Sequence, residues 1–179
     1  MIRLKSLITE ISLGQPYQTQ FVWRHESWGE AAVFDTPNAT IEVLAVKGHI
    51  EYTGNNNTWS IGFSAKTPEG WSVNQTSYWG TKAQRNTVDA AEYLRILSTV
   101  AEATFDFIAQ RAPLTVTFEP YDSDAKKMRQ KTAAYLALLR SAETRLKTMG
   151  YRYAVSQGGE VMITRKSEAD TTGIVDSRN

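Results

Sequence analysis

The strongest constraint on this chain is the order of patterns in its second half, residues 86 to 165: helix, strand, longer helix, glycine-marked hairpin. Tyr93, Ile96, Leu97, Val100, Thr104, Phe107 and Ile108 recur at helical spacing and predict a helix over 88–111. Asn86 or Thr87 can cap it, Asp89 suits the positive end of its dipole, and Pro113 follows its end. Leu114, Val116 and Phe118 alternate as a strand that Pro120 ends. Met128, Thr132, Tyr135, Leu139, Ala142, Leu146 and Met149 then step by four and three, predicting one long helix capped by Gly150. Over so short a span that spacing points to packing on a sheet rather than to a coiled coil. Tyr151, Tyr153 and Val155 pair with Val161 and Ile163 across Gly158 and Gly159 as a hairpin.

The first half reads as β-rich. Tyr17, Thr19, Phe21 and Trp23 alternate with Gln18, Gln20, Val22 and Arg24, the period of a strand. Residues 31–34 form a short apolar run before a turn at Thr36, Pro37 and Asn38. Residues 41–46 suggest a strand buried on both faces. Gly54 to Asn57 mark a loop, and Trp59, Ile61, Phe63 and Ala65 give the clearest alternation in the chain. Residues 66–86 form a long connection of the kind that is often functional, pinned by Trp71 and Trp79. At the N-terminus, Ile2, Leu4, Leu7, Ile8 and Ile11 predict an amphipathic helix over 1–13, which can dock on its own domain or on a partner. We expect one α+β domain over 1–166 and a polar tail over 167–179.

Composition narrows the chemistry. With no cysteine there are no disulfides, thiolate metal sites or cysteine nucleophiles, and only His25 and His49 supply imidazoles. A net charge of +1 gives no broad field for nucleic acid or an anionic membrane. No run approaches the apolar length of a membrane span, and Lys5 and Glu10 interrupt the N-terminal segment, so the expected compartment is the cytosol. All five tryptophans fall in the first half, where they serve as anchors of a core or an interface.

From the Trp59 strand onward the element order resembles the second half of the GNAT acyltransferase superfamily. In that family the loop before the first of these helices carries Q/R-x-x-G-x-G/A, whose amides hold the pyrophosphate of acetyl-CoA at a helix N-terminus. The corresponding residues are Arg85, Asn86, Thr87, Val88, Asp89 and Ala90, with Arg85 and Ala90 matching and Val88 replacing the central glycine. Aligning the family's second signature, N-x-x-A-x-x-L-Y, on Tyr135 places Met128, Lys131 and Ala134 at its other positions. The resemblance implies a GNAT-like scaffold whose cofactor loop has lost its glycine and gained an acid.

A second resemblance is to an uncharacterised family of small tailed-bacteriophage proteins. It rests on Arg95 to Val100, on Phe118-Glu119-Pro120, on a basic residue four before Tyr135, on Gly150-Tyr151, and on the Gly158-Gly159 hairpin followed by Ile163-Thr164-Arg165. Where that family has S-R-x-x-L-Y, this chain has Gln130 to Tyr135. The resemblance implies a phage origin and supplies no activity.

Other candidates are thinner. His25, flanked by Arg24 and Glu26, could be oriented by Asp35 across a hairpin, although neighbouring strand residues face opposite ways. His49 and Glu51 have strand spacing for a shared face, too few for a metal site alone. Asp122 and Asp124 read as capping charges. Lys126, Lys127, Arg129 and Lys131 read as a solvated face or a site for phosphate or an acidic partner.

The expectation is therefore an α+β fold, a twisted and mostly antiparallel sheet of about six to seven strands packed by two long helices, with GNAT-like element order in the second half. The expected function is that of a phage-encoded, non-catalytic binding or assembly protein. It would act through a protein partner or its own copies in the host cytoplasm or the virion, without membrane, nucleic acid, metal or cofactor. The alternative is an acyl-CoA-dependent N-acyltransferase, with Arg85, Asn86, Thr87, Val88, Asp89 and Ala90 holding acetyl-CoA and Tyr135 as the catalytic residue.

Overall fold

The computed structural model describes residues 15–48, 57–67, 70–72, 90–118, 125–156 and 160–166. In chain order the elements are β1 (Arg24–Glu26), β2 (Gly29–Asp35), β3 (Thr40–Lys47), β4 (Thr58–Thr67), β5 (Gly70–Ser72), α1 (Ala90–Arg111), β6 (Thr115–Phe118), α2 (Ala125–Ser141), α3 (Glu143–Thr148), β7 (Tyr151–Val155) and β8 (Val161–Arg165). The strands form one sheet in the order β1-β2-β3-β4-β6-β8-β7, with β5 added beside β4. Every pairing is antiparallel except β4 with β6, the two strands that α1 connects. The fold is α+β, as the patterns predicted.

Register explains which residues reach the core. Ala32 pairs with Val43 and Val43 with Phe63, while Phe34 pairs with Ile41 and Ile41 with Ala65. These side chains share one face with Val116, Phe118, Val161 and Ile163 of the later strands, and all are buried. α1 lays Ile96, Leu97, Val100, Ala103, Phe107 and Ile108 onto that face, and α2 adds Tyr135, Leu138 and Leu139. Phe107 sits edge-on between Trp23 and Trp59, with ring centroids 4.9 and 5.0 Å away. Such aromatic contacts add to the area term for burying the rings. Three hydroxyls on α1, those of Ser98, Thr99 and Thr104, bond the carbonyls four residues back. Their polarity is thus absorbed within the helix.

No described helix covers the opposite face, and this corrects the reading of residues 41–46. In β3 only Ile41, Val43 and Ala45 are buried, while Thr40, Glu42 and Leu44 are half-exposed. The predicted strand over 17–24 is also corrected, because ladder pairing begins only at Arg24. Before it, side chains hold the chain: Phe21 and Trp23 are buried, the Tyr17 amide donates to Thr99 Oγ1 at 2.9 Å, and Arg95 stacks 3.9 Å over the Tyr17 ring.

The single long helix expected up to Gly150 is two. Ser141 Oγ donates to the Leu138 carbonyl at 2.7 Å, and Ala142 leaves helical geometry at φ −99 and ψ 7. The Ala142 amide still donates to the same Leu138 carbonyl at 3.1 Å, so the two helices continue along one path. Gly150 does close α3, at φ 82, in the left-handed region where glycine avoids a Cβ penalty. The expected pairing of β7 with β8 is present, from Tyr151 opposite Arg165 to Val155 opposite Val161. The helix expected over 1–13, the turn glycines Gly158 and Gly159, and the tail over 167–179 lie outside the described residues. So does most of the connection over 66–86, within which β5 forms a short strand.

Candidate functional site

The parallel pair is where the sheet opens. β6 follows β4 only from Thr58 opposite Thr115 to Ser60 opposite Thr117. β5 takes the same edge of β4 again at Ala65. Between them, Ile61 to Ser64 have no ladder partner on that edge among the described residues. A Cβ placed on Gly62 would meet nothing within 4 Å. In open α/β sheets ligands bind at the carboxyl ends of parallel strands where the order switches. Of the six residues expected to hold acetyl-CoA, Arg85, Asn86, Thr87, Val88 and Asp89 lie outside the described residues, and Ala90 opens α1.

Tyr135 is placed in the core. It is buried on α2, its ring 6.0 Å from that of Phe118, and it lines a small apolar cavity of about 20 Å³ with Leu97, Val100, Leu139 and Ile163. That volume is about one water molecule's probe sphere, and the lining is apolar. The cavity is a packing defect where α1 and α2 meet β6 and β8.

The histidine candidate lies near a different acid from the one expected. His25 lies opposite Glu30, and its Nδ1 is 3.7 Å from Glu30 Oε1. Asp35 instead accepts a hydrogen bond from Thr40 Oγ1 at 2.7 Å. Glu30 is itself committed: Arg111 Nε and Nη2 donate to its two carboxylate oxygens at 2.8 and 2.9 Å. The Glu30 side chain is 4% exposed and that of Arg111 32%. Hydrogen bonding to Glu30 raises the guanidinium pKa, against the opposite pull of burial. This bidentate pair ties the last residue of α1 to β2, with the cation at the helix end that favours it. Nearby, Trp23 Nε1 and Gln110 Nε2 both donate to Asp106 Oδ2, at 3.0 and 2.7 Å. These groups are structural. With Glu30 and Arg111 81 positions apart, the sequence held no signal for the pair beyond an acid at a core-facing strand position.

Of the remaining candidates, His49, Glu51, Asp122 and Asp124 lie outside the described residues. Lys126, Lys127, Arg129 and Lys131 fall on the first turns of α2, where Arg129 is exposed. Among the described residues no group of three or more His, Asp or Glu side chains is placed to hold a metal, and no helix is long and apolar enough to cross a membrane.

The feature that sequence reasoning missed is a patch. Val22, Trp28, Val33 and Val46 are 83, 41, 38 and 39% exposed. Val33 and Val46 lie on the uncovered face, opposite Glu42 and Gly29. Val22 points away from the core between buried Phe21 and Trp23, and Trp28 sits in the turn between β1 and β2. Leu44, half-exposed, lies beside them opposite Gly62. The sequence signal was present in the alternation of residues 21–24, but it could not say which side lacked a cover. Comparison with protein-family models, with curated proteins and with solved structures returned no match.

Proposed function

We propose that this chain is a binding or assembly protein that acts through protein–protein contacts, made by the β1–β3 end of the uncovered sheet face. The observation that carries this reading is the exposure of Val33 and Val46 on the uncovered face of β2 and β3, with Val22 and Trp28 exposed on either side of β1. Single exposed apolar residues are ordinary, whereas a contiguous set rimmed by charge marks contact surfaces. Arg24, Glu26, Glu42 and Asp35 provide the rim, with Arg24 donating to Glu42 at 3.1 Å. The resemblance to small phage proteins implies the setting of this proposal, a phage-infected cell, and not the role itself. The test is retention of partners identified by mass spectrometry and then reconstituted from purified components. Val33→Lys with Val46→Lys should abolish that binding while leaving the circular dichroism spectrum unchanged. Equal binding by the double variant would overturn the reading.

One observation favours a second reading, an acyl-CoA-dependent N-acyltransferase. The strands β4 and β6 are parallel, joined by α1, and separate beyond Ser60, which makes an entrance at the carboxyl end of β4. Arg85 to Ala90 would hold the pyrophosphate there, and the cofactor when bound would supply the activated acyl group. Against it stand Val88, whose side chain obstructs phosphate, and Asp89, whose charge repels it. Acetyl-CoA should raise the melting temperature saturably if this reading holds. No shift at millimolar ligand would end it.

A further inference from the structure

This inference rests on the contact reading of the β1–β3 end and names what meets it. We propose that the chain pairs with a second copy of itself, β1 running antiparallel to the partner's β1 with His25 on the two-fold axis. Among the described residues β1 pairs only with β2, and because Arg24 and Glu26 turn their backbone groups to β2, His25 is the residue whose N–H and C=O face the outer edge. All three of its residues, Arg24, His25 and Glu26, are exposed. Charged side chains on an edge turn away strands that do not complement them. Reversed against itself, this triplet is its own complement: Arg24 falls opposite the partner's Glu26, and Glu26 opposite the partner's Arg24.

The faces agree with that arrangement. Arg24 lies opposite Ala31 and Glu26 opposite Gly29, so both lie on the uncovered side while His25, opposite Glu30, lies on the other. Both cross-pairs therefore form on one face, with Cβ atoms about 5 Å apart. Sliding the pairing by two residues either way, the smallest step that preserves the faces, sets Arg24 against the partner's Arg24 or Glu26 against the partner's Glu26. Charge thus selects one register. The same register brings exposed Val22, which precedes β1, to the rim of the pairing, and Val33 lies on the same face of the neighbouring strand. A two-fold interface must be self-complementary in this sense.

The interface is short, so association is weak and depends on concentration. Sedimentation velocity on the full chain should show the mass rising from 20.1 kDa toward twice that value as concentration increases. Glu26→Arg sets like charges opposite each other and should weaken dimerisation about tenfold or more. The double variant Arg24→Glu, Glu26→Arg reverses both signs and should restore it. Hydrogen exchange gives an independent readout: the His25 amide, the one that faces the outer edge, should slow with concentration in the wild type and not in Glu26→Arg. A chain that stays monomeric at every concentration overturns the proposal, as does a double variant that associates no better than Glu26→Arg. A monomer that still binds an identified partner through Val33 and Val46 overturns only the self-pairing and leaves the contact reading in place.

Discussion

The two ends of the sheet are alike on the covered face and different on the uncovered one. Under the helices, Ala32, Phe34, Val43 and Phe63 at one end and Val116, Phe118, Val161 and Ile163 at the other are all buried. On the uncovered face, β2 and β3 present Val33, Leu44 and Val46, whereas β6, β8 and β7 present Thr115, Thr117, Thr164 and Arg152 beside Ala154 and a half-exposed Met162, a more polar set. Leu114 and Val155 are also exposed, but Leu114 precedes β6, and Val155 lies opposite Val161, on the helix side. Folding requires an apolar covered face from end to end, because that is where area leaves water. It imposes no such demand on the uncovered face, so an apolar end there needs a reason beyond stability.

That comparison can be broken or sharpened by measurements of decreasing expected size. Phe107→Ala removes a ring packed between Trp23 and Trp59 and should cost about 3–5 kcal/mol in equilibrium urea unfolding. A cost under about 1 kcal/mol would mean that the covered face is not packed as described. Two glycines of the uncovered face differ from each other. A Cβ on Gly29, at φ 156, would stand 2.1 Å from the Ala45 carbonyl oxygen, so Gly29→Ala should cost about 2–4 kcal/mol. Gly62→Ala, pointing into open space, should change stability by no more than about 0.5 kcal/mol in the same unfolding assay.

Alkaline pH probes the covered face near the start of α1. Burial pushes the Tyr93 hydroxyl up to about 12, from the ordinary 10.0. The unfolded chain therefore loses this proton first, and the stabilisation present below pH 10 is lost as pH rises toward 12. The loss should amount to about 2 kcal/mol, and Tyr93→Phe should flatten that part of a stability–pH curve. The smallest stability effect belongs to the uncovered face. Val33→Thr with Val46→Thr, which makes one end resemble the other, should move unfolding by only about 0.5 kcal/mol. The same pair should nevertheless weaken partner binding measured by calorimetry. If stability fell as far as in Phe107→Ala, those valines would belong to the core rather than to a contact surface.

Much of this architecture was legible in advance, for reasons visible in single segments. The stripe from Ile96 to Ile108 and the alternation from Trp59 to Ala65 were readable because burial imposes periods of about 3.6 and 2 on apolar residues. Gly150 was readable because few other residues accept its φ. The break at Ala142 was not, since it is a distortion of one residue's backbone that leaves the helical stripe in phase. The strand expected over 17–24 failed for a related reason. Its alternation of burial is real, yet it is enforced by packing on α1 and β2, through Trp23 on Phe107 and Tyr17 on Phe34, instead of by a ladder. Of the site candidates, His25 was found but assigned the wrong acid, and Tyr135 proved to be a core residue.

The sequence by itself determined the kind and order of most elements, the apolar stripe of α1, and the absence of cysteine chemistry. These are local properties, written in spacing and residue type. Only the tertiary structure decided which strands are neighbours, that β4 and β6 run parallel and part company beyond Ser60, and that Glu30 meets Arg111. It alone decided, too, that one sheet face carries the described helices while the other leaves Val33 and Val46 in water. The physical reason is that burial depends on what arrives from far along the chain, and a period of two in a strand marks two faces without saying which will be covered.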